Sequence, residues 1–523
     1  MILVPVIGAV AVTFLVTKFA PEARGHGVPE VMDAIYYNGG LIRPVVAVVK
    51  SLASAVSIGS GAAVGREGPI IQIGSALGST LGQLIRMPPG QRITLVAAGA
   101  GIAATFNTPI GGVMFAVKLM MPEISVRTFL PVAIATGTAT FVGRVFFGQE
   151  PAFVVPLPPL ESVDLGAALL LFLYAFLGVI TGLAATAFIR GLHLLEDLFD
   201  RIAQPYARHI LGMLLVGILI YALHVGFGHY YVGGVGYATV QAIIFGQLTA
   251  ASLLALLFVG KLFATTVSLG SGASGGIFSP SLYMGATIGG AFASALAALH
   301  VPLDINVPAF AMVGMAAMVG GGTGAAMTAV TMIFEMTRDY NIVLPMIIAV
   351  GFSLGVRRLL SPENIYTLKL ARRGHLVPKA LHANMFLVRR ASEVMETDIL
   401  VLPADTPFDE FLSRPDHGGR MRHVIITRNN RIFGVVRVNT GLRRGLEGIH
   451  IGITLGDVAR PNFTIVREDD VAFEGIQRIW RKRAVMAVVV HGRGVPRPAN
   501  IAGVITKENV ADSVAASVQI YPS

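Results

Sequence analysis

The chain has no cysteine among its 523 residues and only 13% Asp, Glu, Lys and Arg. The first absence excludes disulfides, thiol chemistry and cysteine-based metal sites. The second, beside 54% hydrophobic residues, 60 glycines and a mean hydropathy of +0.69, excludes a soluble globular chain of this length. No nucleophile–base–orienter arrangement and no phosphate-cradling Gly-Lys-Ser/Thr motif occurs, so the chain does not read as an enzyme. A small-residue cleavage site is missing after the apolar segment that runs from Met1 to Val16 and meets Lys18, so this segment is not read as a signal peptide. The net charge of +10 comes without an arginine–aromatic stripe, which points to anionic lipid rather than nucleic acid. What remains is a multi-pass protein of the cell membrane.

What is present in quantity is glycine, and it repeats. Gly59-Ser60-Gly61-Ala62 with Gly65, Pro69 and Gly74 recurs as Gly270-Ser271-Gly272-Ala273 with Gly276, Pro280 and Gly285, every match at an offset of 211. A looser correspondence lays Thr108 to Lys118 on Ala325 to Glu335, at an offset of 217. The membrane domain, residues 1–370, therefore divides into halves at 1–150 and 165–370. The loop between them carries Pro151, Pro156, Pro158 and Pro159. Apolar runs broken by glycine predict short, interrupted helices, which survive in a membrane only where the freed backbone is buried or lines a wet cavity. Matching breaks in two halves place a polar transport site between them.

From residue 371 the texture changes. Of the 40 Lys and Arg, 22 fall in residues 371–523, beside half of the 30 Asp and Glu. Two units, about 388–447 and 453–517, each read as helix, strand, helix, strand, strand. This small α/β tail is expected to be water-facing and cytoplasmic.

Gly65-Arg66-Glu67-Gly68-Pro69 is the leading candidate site. An ionisable pair in an apolar segment is costly and marks function, the alternative being a structural ion pair at a helix end. The glycines permit close approach of the backbone, and a helix beginning near Pro69 turns its free N–H groups toward an anion. Its repeat partner, Gly276-Ile277-Phe278-Ser279-Pro280, aims a second helix N-terminus at the same point without a carboxylate. Two converging N-termini and one movable carboxylate describe an anion pathway with a built-in competitor.

These residues resemble the ClC family of chloride channels and proton–chloride exchangers. Gly25-His26-Gly27-Val28-Pro29-Glu30 resembles its first signature, Gly65 to Pro69 the second and Gly270 to Pro280 the third. Phe106-Asn107-Thr108-Pro109, Glu335-Met336-Thr337 and Tyr366 also fit, and the tail resembles the paired cystathionine-β-synthase (CBS) domains of many members. The resemblance implies an inverted-repeat helical fold and a homodimer whose subunits each hold a pathway. It makes Glu67 the gate, and it makes the amides of Ile277 and Phe278, the Tyr366 hydroxyl, Gly65, Arg66, Gly68 and position 26 the surroundings of a chloride ion. It also implies one or two helices ahead of Met1, so a shortened start is expected.

Three positions depart from the family pattern. His26 stands where a serine is usual; a neutral imidazole donates one hydrogen bond, and a protonated one would hold an anion more tightly. Leu119 stands where proton-coupled members carry an internal glutamate, with Lys118 beside it, and leucine cannot relay a proton. In the tail, Gly503-Val504-Ile505-Thr506 opens a nucleotide-site pattern, but Asn509 takes the acidic place, and Arg437 and Thr440 stand at the matching positions of the first unit. The expectation is a passive chloride channel gated by Glu67 that requires no cofactor. The alternatives are a proton-coupled antiporter and a non-conducting, membrane-anchored sensor of adenine nucleotide bound at the tail.

Overall fold

The computed structural model describes residues 1–99, 102–121, 126–150, 152–153, 155, 165–375, 377, 390–413, 423–437, 452–492, 496–506 and 508–509. Pro151, Pro156, Pro158, Pro159 and Thr440 lie outside them, as does the side chain of Arg437. The chain forms two compact units, Met1–Val377 and Pro378–Ser523.

The first unit is helical and carries the duplication in its element order. In the first half the helices Leu3–Phe19, Val28–Tyr37, Val45–Gly59 and Glu67–Leu84 follow one another. Pro205–Phe227, Tyr237–Ile244, Ala251–Ser271 and Phe278–Ala298 repeat that order in the second. Glu67 and Phe278, the first residues of their helices, are 211 apart. Proline fixes these starts: Pro69 and Pro280 fall in the first turn, where a missing N–H costs no helical bond. Six helices among the described residues are long and apolar enough to cross a membrane, and five more apolar helices of 10–17 residues are shorter. This is the mixture expected from glycine-broken runs.

The centre is close-packed. Every residue from Ala309 to Thr323 is buried in the Val307–Thr323 helix, which lies against Phe278–Ala298. A methyl group on Gly285 would strike the Gly314 carbonyl, so small residues set the approach of these helices.

Two lysines are completely buried inside this apolar unit. Lys50 donates to the carbonyls of Ala23 (2.9 Å) and Gly25 (2.7 Å). Lys261 donates to those of Val232 (2.9 Å) and Gly234 (2.7 Å). Each ammonium ties down the loop that precedes a short helix of its own half. Left-handed glycines, Gly27 (φ 80°) and Gly236 (φ 86°), then start those helices at Val28 and Tyr237.

The second unit holds two three-stranded sheets. Leu400–Pro403 pairs parallel with His423–Arg428, which pairs antiparallel with Arg431–Arg437. Thr464–Arg467, Ala487–Val490 and Ile501–Ile505 repeat that order. Each opening helix packs on the other repeat: Ala391 joins Val466, Ile479 and Val489, whereas Leu455 joins Leu402, Phe408 and Val424. The exchange makes the two repeats one paired body. Asp457 closes a capping box on Thr454, whose N–H and hydroxyl hold its carboxyl below the usual aspartate range.

Candidate functional site

The two glycine-framed loops meet. Gly65 and Gly276 form an antiparallel bridge, and Gly25 lies parallel to Ser274 beside it. This contact brings the N-termini of Glu67–Leu84 and Phe278–Ala298 to one point inside the unit.

Glu67 is fully buried there. Its Oε1 accepts a 2.5 Å bond from the Ser279 hydroxyl and another from the Tyr237 hydroxyl. Its Oε2 accepts from the Ser279 backbone N–H at 3.3 Å. The Tyr237 and Ser279 hydroxyls are themselves 2.9 Å apart. The first-half carboxylate thus occupies the N-terminus of the second-half helix, where an orphan N–H and the positive end of the helix dipole favour negative charge.

The glycines are required by proximity. A Cβ on Gly65 would lie on the Glu67 carboxylate, and one on Gly68 would strike the His26 carbonyl and come within 2.9 Å of Gly276 Cα. Ile277 and Phe278 are buried at the start of the facing helix. Phe106 packs on both Phe278 (5.7 Å between ring centroids) and Tyr237 (6.2 Å), and Phe153 meets Tyr237 edge-on at 5.7 Å.

His26 is buried, with its ring centroid 5.8 Å from that of Tyr366, which is buried as well. Neither His26 ring nitrogen has a hydrogen-bond partner among the described residues. Polar atoms sealed from water normally find partners, so a bare imidazole beside a buried tyrosine suits a space that a small polar ligand visits.

Arg66 makes its contacts away from Glu67. It is exposed, donates to the Thr105 carbonyl at 3.3 Å and lies over the Tyr237 ring at 5.4 Å. The backbone turn into the helix sends adjacent side chains to different sides, so Arg66 braces Tyr237 while Glu67 points inward.

Leu119 is buried in a π-helical turn, Ala116–Met120, and Lys118 beside it is exposed. In the tail, Asn509 Oδ1 accepts from the Thr506 N–H (3.0 Å) and hydroxyl (2.5 Å), while its Nδ2 donates to Glu396 (3.0 Å). Both residues of that expected nucleotide site are engaged with the protein.

Tyr237, Ser279, Lys50 and Lys261 are the participants that sequence reading passed over. For the lysines a signal existed, since they keep the offset of 211. Tyr237 carried none: Val28 is its counterpart at the start of the matching helix.

The inverted helical repeat, with two helix starts converging on one buried carboxylate, defines a membrane transporter of small anions. The chain belongs to the ClC family: residues 8–358 match the family model described as voltage gated chloride channel. It is 34% identical over 374 residues to the H(+)/Cl(-) exchange transporter ClcA of Vibrio parahaemolyticus, covering 69% of this chain and 76% of that protein. Among solved structures, a slow cyanobacterial Cl-/H+ antiporter superposes with a TM-score of 0.63 at 27% identity, over 71% of this chain and 86% of that one. A eukaryotic CLC transporter gives 0.62 at 18% identity and covers 97% of this chain and 89% of that one, so its fold extends through the tail.

These comparisons correct the expectation of a passive channel. The relative and the cyanobacterial structure are an exchange transporter and an antiporter. The expectation rested on Leu119, and its weakness is physical. One leucine closes one route for protons, whereas the carboxylate of Glu67 is retained at the start of the facing helix.

Proposed function

We propose that this protein exchanges chloride for protons across the membrane, with Glu67 as the group both ions compete for. The observation that carries the reading is the seat of the Glu67 carboxylate on the Ser279 N–H and hydroxyl, at the start of the Phe278–Ala298 helix. A chloride ion seeks the same donors, and a carboxylate that takes a proton loses its charge and its claim on them. Binding of one ion is thereby release of the other. Ile277 and Phe278 amides, the Tyr366 hydroxyl and His26 are the further donors along the path, and donors of modest strength suit a site that ions must also leave. Because both halves of the site lie in one chain, each subunit of a homodimer would hold a complete pathway, with exposed apolar side chains of Val343–Leu360 against lipid or a second copy. The basic tail is assigned to the cytoplasmic side.

The test is a liposome assay in which chloride efflux and external pH are recorded together. Protons should move against chloride at a fixed ratio in the wild type, and Glu67→Gln should abolish proton movement. Chloride efflux with no accompanying proton flux in the wild type would overturn the reading.

A further inference from the structure

We infer that His193 and Glu196 form a proton port of the membrane unit, in the role that Leu119 cannot perform; the inference rests on the exchange reading above. A titratable side chain between solution and Glu67 gives protons a route that Leu119 does not. Leu119 is buried and aliphatic, and exposed Lys118 carries a charge that repels protons.

A cavity of about 360 Å³ lies where the membrane unit approaches its end, with Gly25, Glu30, His193, Glu196 and Lys369 in its wall. Its charged groups are largely matched. Glu30 meets Arg373 (2.6 Å) and Lys369 (3.5 Å), Asp197 meets Arg372 (2.5 Å), and Asp200 meets Arg24 (3.2 Å). The pair His193–Glu196, with Nδ1 2.8 Å from Oε2, is the one among the described residues of this wall that includes an imidazole, a side chain that can take a proton at one nitrogen and give one from the other.

The imidazole is placed as a two-ended relay. Glu196 keeps 17% of its side chain exposed on the cavity side, against 6% for His193. The other ring nitrogen, Nε2, is sealed from solvent and has no hydrogen-bond partner among the described residues. His26 follows Gly25 of the cavity wall, and its backbone carbonyl lies against Gly68, next to Glu67. His26 in turn faces Tyr366. A proton delivered through Glu196 to Nδ1 makes an imidazolium, which releases the Nε2 proton inward. The Glu196 O–H breaks as Nδ1–H forms, and Nε2–H breaks as its proton passes to water on the way to Glu67, so protons and charge balance over the step and the neutral Nδ1–H ring remains. Two ring nitrogens in different environments, one on a carboxylate and one sealed from solvent, are what such a step requires.

The experiment uses the full chain in liposomes, with chloride and proton fluxes recorded together. In His193→Gln the ratio of proton to chloride flux should fall about tenfold or more, and adding Leu119→Glu should restore it. An unchanged ratio in His193→Gln, or fluxes that fall in proportion, overturns the port. If His193→Gln does not yield folded protein, Glu196→Gln carries the same expectation and the same refutation. A wild-type protein that moves chloride without protons instead overturns the exchange reading, and that result is separate because it is obtained before any variant.

Discussion

Gly65 and Gly276 exchange both of their backbone hydrogen bonds, at 2.7 and 2.5 Å, although 211 residues separate them. Two residues that trade both bonds in an antiparallel pair lie across a local twofold axis. The axis that relates the halves of the membrane unit therefore passes between these glycines, one residue before Arg66 and Ile277. Pairing on the axis aligns the two helix starts, and any side chain there would separate them. Gly65→Ala places a methyl group on the Glu67 carboxylate, 2.9 Å from Ser279 Oγ and 3.2 Å from Pro280 Cδ. Overpacking of this kind costs about 1–3 kcal/mol. Chloride efflux in liposomes should fall about tenfold or more, since 1.4 kcal/mol is a factor of ten. Gly59→Ala is the control, because nothing lies within 4 Å of the added methyl. Equal efflux from the two variants would refute the steric account.

Lys50 and Lys261 extend the same symmetry into the packing. Each holds two carbonyls of the loop in front of a pathway helix, and each is completely buried. Methionine fills the same space without the ammonium, leaving two carbonyls without their donor. An unsatisfied buried acceptor costs about 1–3 kcal/mol. Lys50→Met and Lys261→Met should both lower the thermal midpoint of the purified protein, by similar amounts. A midpoint unchanged in either variant would show that its loop does not depend on the lysine.

The repeat of small residues was legible because identity at a fixed offset survives where both copies meet the same backbone demand. Gly65, Gly276, Pro69 and Pro280 are such positions. The lysines share the offset but stand singly in apolar runs, and their partners are carbonyls, which no sequence pattern names. Tyr237 was out of reach for another reason. Its hydroxyl meets Glu67 because the second-half loop crosses to the first-half helix, and the duplication breaks there, with Val28 at the equivalent helix start. Arg66 shows that adjacency does not fix direction: its charge is next to Glu67 in sequence, and the helix start turns it away. Leu119 misled because a missing carboxylate was weighed as a missing function, and a relay such as His193–Glu196 occupies a helix unrelated to any signature stretch.

His26 is the position where anion preference should respond to substitution. Its ring nitrogens have no partner among the described residues, so the one that carries the N–H is available to an ion. A hydrogen bond to a charged group contributes about 1.5–3 kcal/mol. His26→Ala should therefore weaken chloride binding by about tenfold or more, read as a higher half-saturating concentration in flux or as a smaller heat in titration calorimetry. His26→Ser, which returns a hydroxyl donor, should recover part of that loss and change the order in which chloride, nitrate and fluoride are preferred. Chloride binding of wild-type strength in His26→Ala would remove this side chain from the pathway.

The Tyr237 and Ser279 hydroxyls set how firmly Glu67 occupies the anion position. Both donate to Oε1 of the same carboxylate, and Ser279 adds its N–H to Oε2. On the exchange reading proposed above, chloride displaces the carboxylate from these donors as it binds. Tyr237→Phe removes one hydroxyl and keeps the ring that Phe106, Phe153 and Arg66 pack against. A hydrogen bond to a carboxylate is worth about 1.5–3 kcal/mol, so the competitor loses about tenfold or more of its hold. The chloride concentration for half-maximal flux should fall in Tyr237→Phe, with the proton-to-chloride ratio kept, because the carboxylate still takes its proton. Ser279→Ala removes a donor that chloride could also use, so its half-maximal concentration should fall less. A rise in half-maximal chloride in Tyr237→Phe would mean that the hydroxyl serves the anion rather than the gate.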